Sequence, residues 1–153
     1  MAEINMELAK SVYETVCTAL DNMGFKYERH DDDLVVSLGY GGKDMNHDML
    51  IIVDAQREVV QVVEQLPVRM NAEKATEIAC AVCYANRFIV CGKFTYDMEE
   101  EIRFKVAQIY DGSLIGPETI ERMILALAVT VEQYDDKFMA LNKGYLKVED
   151  FKE

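Results

Sequence analysis

The sequence predicts a single α+β domain of order α-β-β-β-β-α-β-β-α, a mostly antiparallel sheet with helices packed against it. Amphipathic stretches with helical spacing stand near both ends of the chain. Between them, short alternating or apolar runs are separated mainly by turn residues, which favours neighbouring strands joined by hairpins. At 153 residues the chain is of single-domain size and can bury a core without disulfides. No repeat or linker divides it, so residues 1–144 are expected to form the domain and residues 145–153 a charged, mobile tail.

The first helix is expected over residues 3–23. Leu8, Val12, Val16, Leu20 and Met23 fall within a stripe about 140° wide, Glu7, Lys10, Glu14 and Asp21 fall opposite it, and Gly24 supplies a stop. Strands are expected over 25–30, 34–38, 49–53 and 57–66. Asp31-Asp32-Asp33 turns the first pair, the Gly39 to Asp44 segment is a loop, and Pro67 ends the fourth strand. The unbroken apolar run at 49–53 suits a central strand covered on both faces.

Asn71 is a candidate N-cap for a second helix over 71–86, with Ala75, Ile78, Ala79, Val82 and Ala85 as its core stripe and Cys83 at one edge. A hairpin follows, 88–96 and 102–110 around an acidic turn, placing Phe88, Val90, Phe94 and Tyr96 on one face. Gly116-Pro117-Glu118 opens the last helix, which runs to about residue 142 before Gly144. At 1.5 Å per residue this helix is roughly 39 Å long, more than a small domain needs to cover its own sheet.

Charge and composition exclude several functions. The chain carries 16 Lys+Arg against 28 Asp+Glu, a net charge of −12. Nucleic acid and anionic membrane surfaces, which need clustered cations, are therefore not expected partners. The N-terminal residues lack a signal-peptide pattern, and no apolar run has membrane-spanning length. The four cysteines, Cys17, Cys80, Cys83 and Cys91, read as reduced thiols, so a cytoplasmic location is expected.

Cys80 and Cys83 form a C-x-x-C inside the second helix rather than in a knuckle or at a helix N-terminus. They are read as core packing, not as a metal or redox pair. The Gly39-Tyr40-Gly41-Gly42-Lys43-Asp44 loop lacks the Ser/Thr and the following helix of a phosphate loop. Asp31-Asp32-Asp33 and the acids at 97 and 99–101 lack calcium-loop spacing. His30 and His47 stand at strand ends outside any catalytic motif, and Ser11, Ser37 and Ser113 have no nucleophile-elbow context. No catalytic residue, no metal ligand set and no cofactor is assigned, and the chain is read as non-enzymatic.

Two features point to surfaces and scaffolding instead. On the last helix Ile120, Met123, Ile124, Leu127, Val131, Tyr134, Phe138 and Leu141 form the core stripe. Leu125 and Val129, an i,i+4 pair, lie far round from it. That second apolar face either contacts a partner or packs under another helix. Asn86 falls within the apolar stripe of the second helix, so its amide is expected to cap that helix or pin the strand that follows.

The segments Ala85-Asn86-Arg87-Phe88, Gly92-Lys93-Phe94 and Ile102-Arg103-Phe104-Lys105 share a pattern: a helix ending in Asn, a Gly before an aromatic, an acidic turn, and Ile-x-Phe. Pro117 then enters a helix that ends near Asp135-Asp136-Lys137-Phe138, while Gly24-Phe25-Lys26-Tyr27 and Leu66-Pro67 agree upstream. In this order the chain resembles the YbjN-like family, small bacterial proteins described as sensory transduction regulators. The turn departs from the family's Asp-Gly type, with Met98 and three glutamates in its place. The family is similar in fold to type III secretion chaperones, acidic cytosolic dimers that hold extended segments of partner proteins. The resemblance implies Gly92 and Asn86 as structural positions and brings no catalytic residue.

The expectation is therefore a regulatory or chaperone-like homodimer that binds protein segments through apolar helix and sheet surfaces, with Leu125 and Val129 at the interface. The alternative is a small-molecule or metal-binding protein that uses the cysteines and histidines.

Overall fold

The computed structural model describes residues 3–43, 45–112 and 115–152. Its elements are α1 (Met6–Met23), β1 (Glu28–His30), β2 (Val35–Gly41), β3 (Asn46–Asp54), β4 (Val59–Gln65), α2 (Ala75–Asn86), β5 (Lys93–Tyr96), β6 (Ile102–Ile109) and α3 (Pro117–Asn142). The strands form one sheet in the order β1-β2-β3-β4-β6-β5, and each neighbouring pair is antiparallel. This is the α+β order that the sequence predicts.

Strand alternation gives the sheet one buried face. Val36 and Leu38 on β2, Met49, Ile51 and Val53 on β3, Val60 and Val62 on β4, and Phe104 and Val106 on β6 all turn inward. The helices cover this face, α1 against β3, α2 against β5, and α3 against β4 and β6. Phe94, Phe104, Tyr134, Phe138 and Phe151 build an aromatic cluster beneath α3, with ring centroids 4.7–6.2 Å apart.

The β3 run is central in the sheet but is not covered on both faces. Leu50 is 44% exposed and Ile52 only half-buried, because all three helices dock on the opposite side. Their β-branched and aliphatic neighbours across the sheet, such as Val63 opposite Leu50, account for the apolar run.

Helix boundaries follow local chemistry. The Asn5 side chain accepts a hydrogen bond from the Leu8 N–H at 3.0 Å, so α1 starts after Asn5 rather than at residue 3. Gly24, at φ 75°, ends it, and the Phe25 N–H closes on the Leu20 carbonyl, which delays β1 to Glu28. Asn71 accepts from the Glu73 N–H and caps a short 3-10 turn, Ala72–Lys74, so α2 proper begins at Ala75. On α2 the buried residues are Ile78, Ala81, Val82 and Ala85, while Cys80 and Cys83 are exposed. The thiol pair expected in the core therefore lies on the outer flank, since the stripe is centred nearer Ala81 and Val82.

Three further expectations are revised. The loop at 39–44 is shorter, because Gly39, Tyr40 and Gly41 continue β2 opposite Asp48, His47 and Asn46. Asp44, part of that expected loop, lies outside the described residues, as does Ser113. Residues 88–92 are not strand. Turn hydrogen bonds extend past α2 as far as Ile89, and Gly92 then turns the chain at φ 89°, leaving Phe88 and Val90 exposed. Residues 145–152 are also not a free tail, since a 3-10 turn at Val148–Phe151 buries Phe151 against Phe138, ring centroids 5.2 Å apart.

Gly92 meets a tight constraint as well as a positive φ. A Cβ there would stand 2.7 Å from the Lys105 carbonyl oxygen and from the Phe104 ring. The acidic turn is organised by Asp97, whose Oδ1 accepts from the N–H groups of Glu99, Glu100 and Glu101 at 2.9–3.1 Å. Met98 takes the left-handed conformation, φ 65°, that a glycine more often supplies.

Candidate functional site

One end of the β2–β3 hairpin carries a polar cluster buried under α3. Tyr40 on β2 stands directly opposite His47 on β3, and their rings stack with centroids 4.9 Å apart. Glu64 comes from β4 on the same inward face. Its Oε2 lies 2.6 Å from His47 Nδ1, and its Oε1 accepts the Tyr40 hydroxyl. From α3 above, Asp135 Oδ2 lies 3.6 Å and Glu132 Oε1 3.9 Å from His47 Nε2.

Backbone geometry closes the cluster. A Cβ on Gly42 would fall 2.5 Å from both Glu132 Oε1 and the His47 ring, so only glycine fits there. The Lys43 N–H donates to Glu132 Oε1, and the Asp136 N–H donates to Asp135 Oδ1 at 2.7 Å. His47, Glu64 and Asp135 are buried, whereas the Glu132 side chain is 29% exposed.

Burial pushes the Glu64 carboxyl above its ordinary range, with the hydrogen bonds from Tyr40 and His47 pulling the other way. Burial likewise raises Asp135, against the stabilising Asp136 N–H. Burial and the bond to Glu64 raise the Tyr40 hydroxyl, which therefore stays a donor. His47 Nδ1 and Glu64 Oε2 thus share one hydrogen bond, and Nε2 on the far side of the ring faces the two α3 carboxylates. Among the described residues His47 Nε2 has no hydrogen-bond partner, and 3.6 Å is beyond hydrogen-bond reach. His47, Glu132 and Asp135 bring their ligating atoms within 4.8 Å of one another.

No motif marks this cluster, yet its parity is visible. Glu64 shares the inward phase of Val60 and Val62, and His47 that of Met49 and Ile51. Asp135 lies four residues after Val131 and eight after Leu127, inside the core stripe of α3. A charged residue on a buried stripe was the available signal.

The residues expected at a surface stand apart from this cluster. Leu125 is 51% and Val129 64% exposed, with neither α1 nor α2 covering them. They line a shallow groove whose other wall is Phe88, Ile89 and Val90, the last 97% exposed. The displaced segment at 88–91 and the second face of α3 thus form one apolar strip. Asn86 holds β5, donating to the Phe94 carbonyl at 2.9 Å and accepting the Phe94 N–H at 2.8 Å.

The remaining candidates are scattered. Cys17 is buried in α1, Cys80, Cys83 and Cys91 are exposed, and among the described residues no cysteine joins a cluster of three metal-ligating groups. His30 is exposed at the sheet edge and pairs with Ser37 at 3.1 Å. Among the described residues, no helix is long and apolar enough to cross a membrane.

Residues 13–140 match a family model described as "Putative bacterial sensory transduction regulator", the YbjN family. Among solved structures the chain is similar to YbjN from E. coli, described as "a putative transcription regulator". The TM-score is 0.59 at 10% identity, over 82% of this chain and 92% of that one, a likeness of fold. None of the curated proteins matches this chain.

Proposed function

The chain belongs to the YbjN family of bacterial regulators, and from that premise we propose that it is a non-enzymatic regulatory domain that binds protein segments and pairs with a second copy of itself. The observation that carries the reading is the apolar strip formed by Leu125 and Val129 with Phe88 and Val90. Side chains of this size clustered in water are an interface feature more often than scattered surface residues are.

Two properties support the same reading. The net charge of −12 keeps a molecule with such a strip dispersed, so its apolar face can await a partner of the right shape. The outer face of the sheet is also uncovered, with Leu50, Ile52 and Val63 beside Arg103 and Lys105, a second surface for an extended segment.

The test is a Leu125→Glu/Val129→Glu double variant examined by sedimentation equilibrium. Both positions are exposed, so the fold is expected to persist while the dimer dissociates by at least about tenfold in Kd, since buried carboxylates oppose association. A variant dimer of unchanged strength removes this face of α3 from the interface.

A further inference from the structure

The His47 cluster has a charge and geometry that its own residues leave incomplete. Three carboxylates, Glu64, Glu132 and Asp135, converge on one imidazole. Among the described residues their only ion-pair partner is His47. Three carboxyl groups thus meet a single basic side chain, a donor set that a bound cation would complete. His47 Nε2, buried and without a hydrogen-bond partner among the described residues, faces the gap between Asp135 and Glu132.

The spacing suits an ion rather than hydrogen bonds. Two ligand atoms about 2.1 Å from a tetrahedral centre stand about 3.4 Å apart. His47 Nε2 is 3.6 Å from Asp135 Oδ2 and 3.9 Å from Glu132 Oε1, and all three ligating atoms lie within 4.8 Å. Glu64 on Nδ1 is the carboxylate behind a ligating histidine that fixes the tautomer and raises ring basicity.

We propose that His47 Nε2, Asp135 and Glu132 bind one divalent transition-metal ion, Zn²⁺ by preference, with Glu64 orienting His47 from behind. One imidazole with two carboxylates is a mixed nitrogen and oxygen donor set. Mg²⁺ and Ca²⁺ favour oxygen-only shells with more ligands, and Mn²⁺ stands below Zn²⁺ in intrinsic affinity. Three protein ligands leave a fourth position for water on the side where Glu132 meets solvent. The ion would tie α3 to the β2–β3 hairpin, two elements that otherwise meet here through the Lys43 N–H and the packing of Gly42. This site uses none of the cysteines and does not depend on the apolar strip.

The experiment is calorimetric titration of the full chain, stripped with chelator and dialysed, with Zn²⁺, Mn²⁺, Mg²⁺ and Ca²⁺ salts in turn. The expected result is one Zn²⁺ per chain, weaker Mn²⁺, and no saturable Mg²⁺ or Ca²⁺ at the same concentrations. Glu132→Gln, a conservative change at the rim that keeps an acceptor for the Lys43 N–H, is expected to weaken Zn²⁺ by at least about tenfold while the metal-free protein remains folded by circular dichroism. Glu64→Gln is expected to weaken it by about 10–100-fold through loss of orientation. Alkylation of the exposed cysteines is expected to leave Zn²⁺ binding unchanged. Absence of Zn²⁺ binding, binding that survives Glu132→Gln and Asp135→Asn undiminished, or binding abolished by alkylation would each overturn the proposal.

Discussion

The Asn86 carboxamide makes both backbone hydrogen bonds of Phe94, at 2.9 and 2.8 Å, and so acts as a one-residue strand on the free edge of β5. A side chain at the end of a helix thereby supplies what a neighbouring strand would. The edge is occupied, and Phe94 is held over Phe104 and Phe138.

Removing this clasp is expected to be costly for a single polar residue. Asn86→Ala leaves a half-buried N–H and carbonyl unpaired and should lower stability by about 1–3 kcal/mol. Asn86→Asp keeps the acceptor but loses the donor and sets a charge against the Phe94 carbonyl, so it should be no better. Urea unfolding of the two variants checks this, and wild-type stability in both would contradict it.

Two glycines should respond very differently to the same substitution. Gly92→Ala forces a Cβ to within 2.7 Å of the Lys105 carbonyl oxygen at positive φ and should cost more than about 1 kcal/mol. Gly41→Ala, where nothing among the described residues lies within 4 Å, should change stability by no more than a few tenths of that. Thermal melts of the pair separate a steric requirement from a general dislike of alanine.

The C-terminal segment carries a similar prediction. Phe151 is buried against Phe138, and Lys152 lies over the Tyr84 ring at 5.4 Å. Phe151→Ala should cost about 3–5 kcal/mol, as for other buried aromatics. A denaturation midpoint equal to wild type would mean that the segment does not dock.

Asp97 gives a pH signature. The N–H groups of Glu101, Glu100 and Glu99 hold its carboxyl below the ordinary 3.8. A depressed folded-state pKa means that its contribution is fully present above pH 3.8 and is lost as pH falls through the lower, folded value. Asp97→Ala should therefore lower the melting temperature at pH 7, and the gap to wild type should narrow below pH 3.8. A gap that is constant with pH would place the effect elsewhere.

How much of this was legible depends on where the information sits. α3 could be read almost completely, because Gly116-Pro117 fixes its start and an unbroken stripe from Ile120 to Leu141 fixes its buried face. Residues 88–92 could not, because alternation there is indistinguishable from a strand until Asn86 is known to occupy the edge. Phe151 was hidden by its charged neighbours, one aromatic outweighing the composition of the segment around it. The polar cluster was hidden differently. Its members come from β2, β3, β4 and α3, so no one linear spacing links them all, and the inward phase of Glu64, His47 and Asp135 is what betrays them.

The most direct test of the functional reading is a native mass spectrum of the untagged protein at micromolar concentration, purified with neither metal nor chelator added. Pairing through the apolar strip predicts a dimer at twice 17.5 kDa. A monomer at every concentration examined would contradict it.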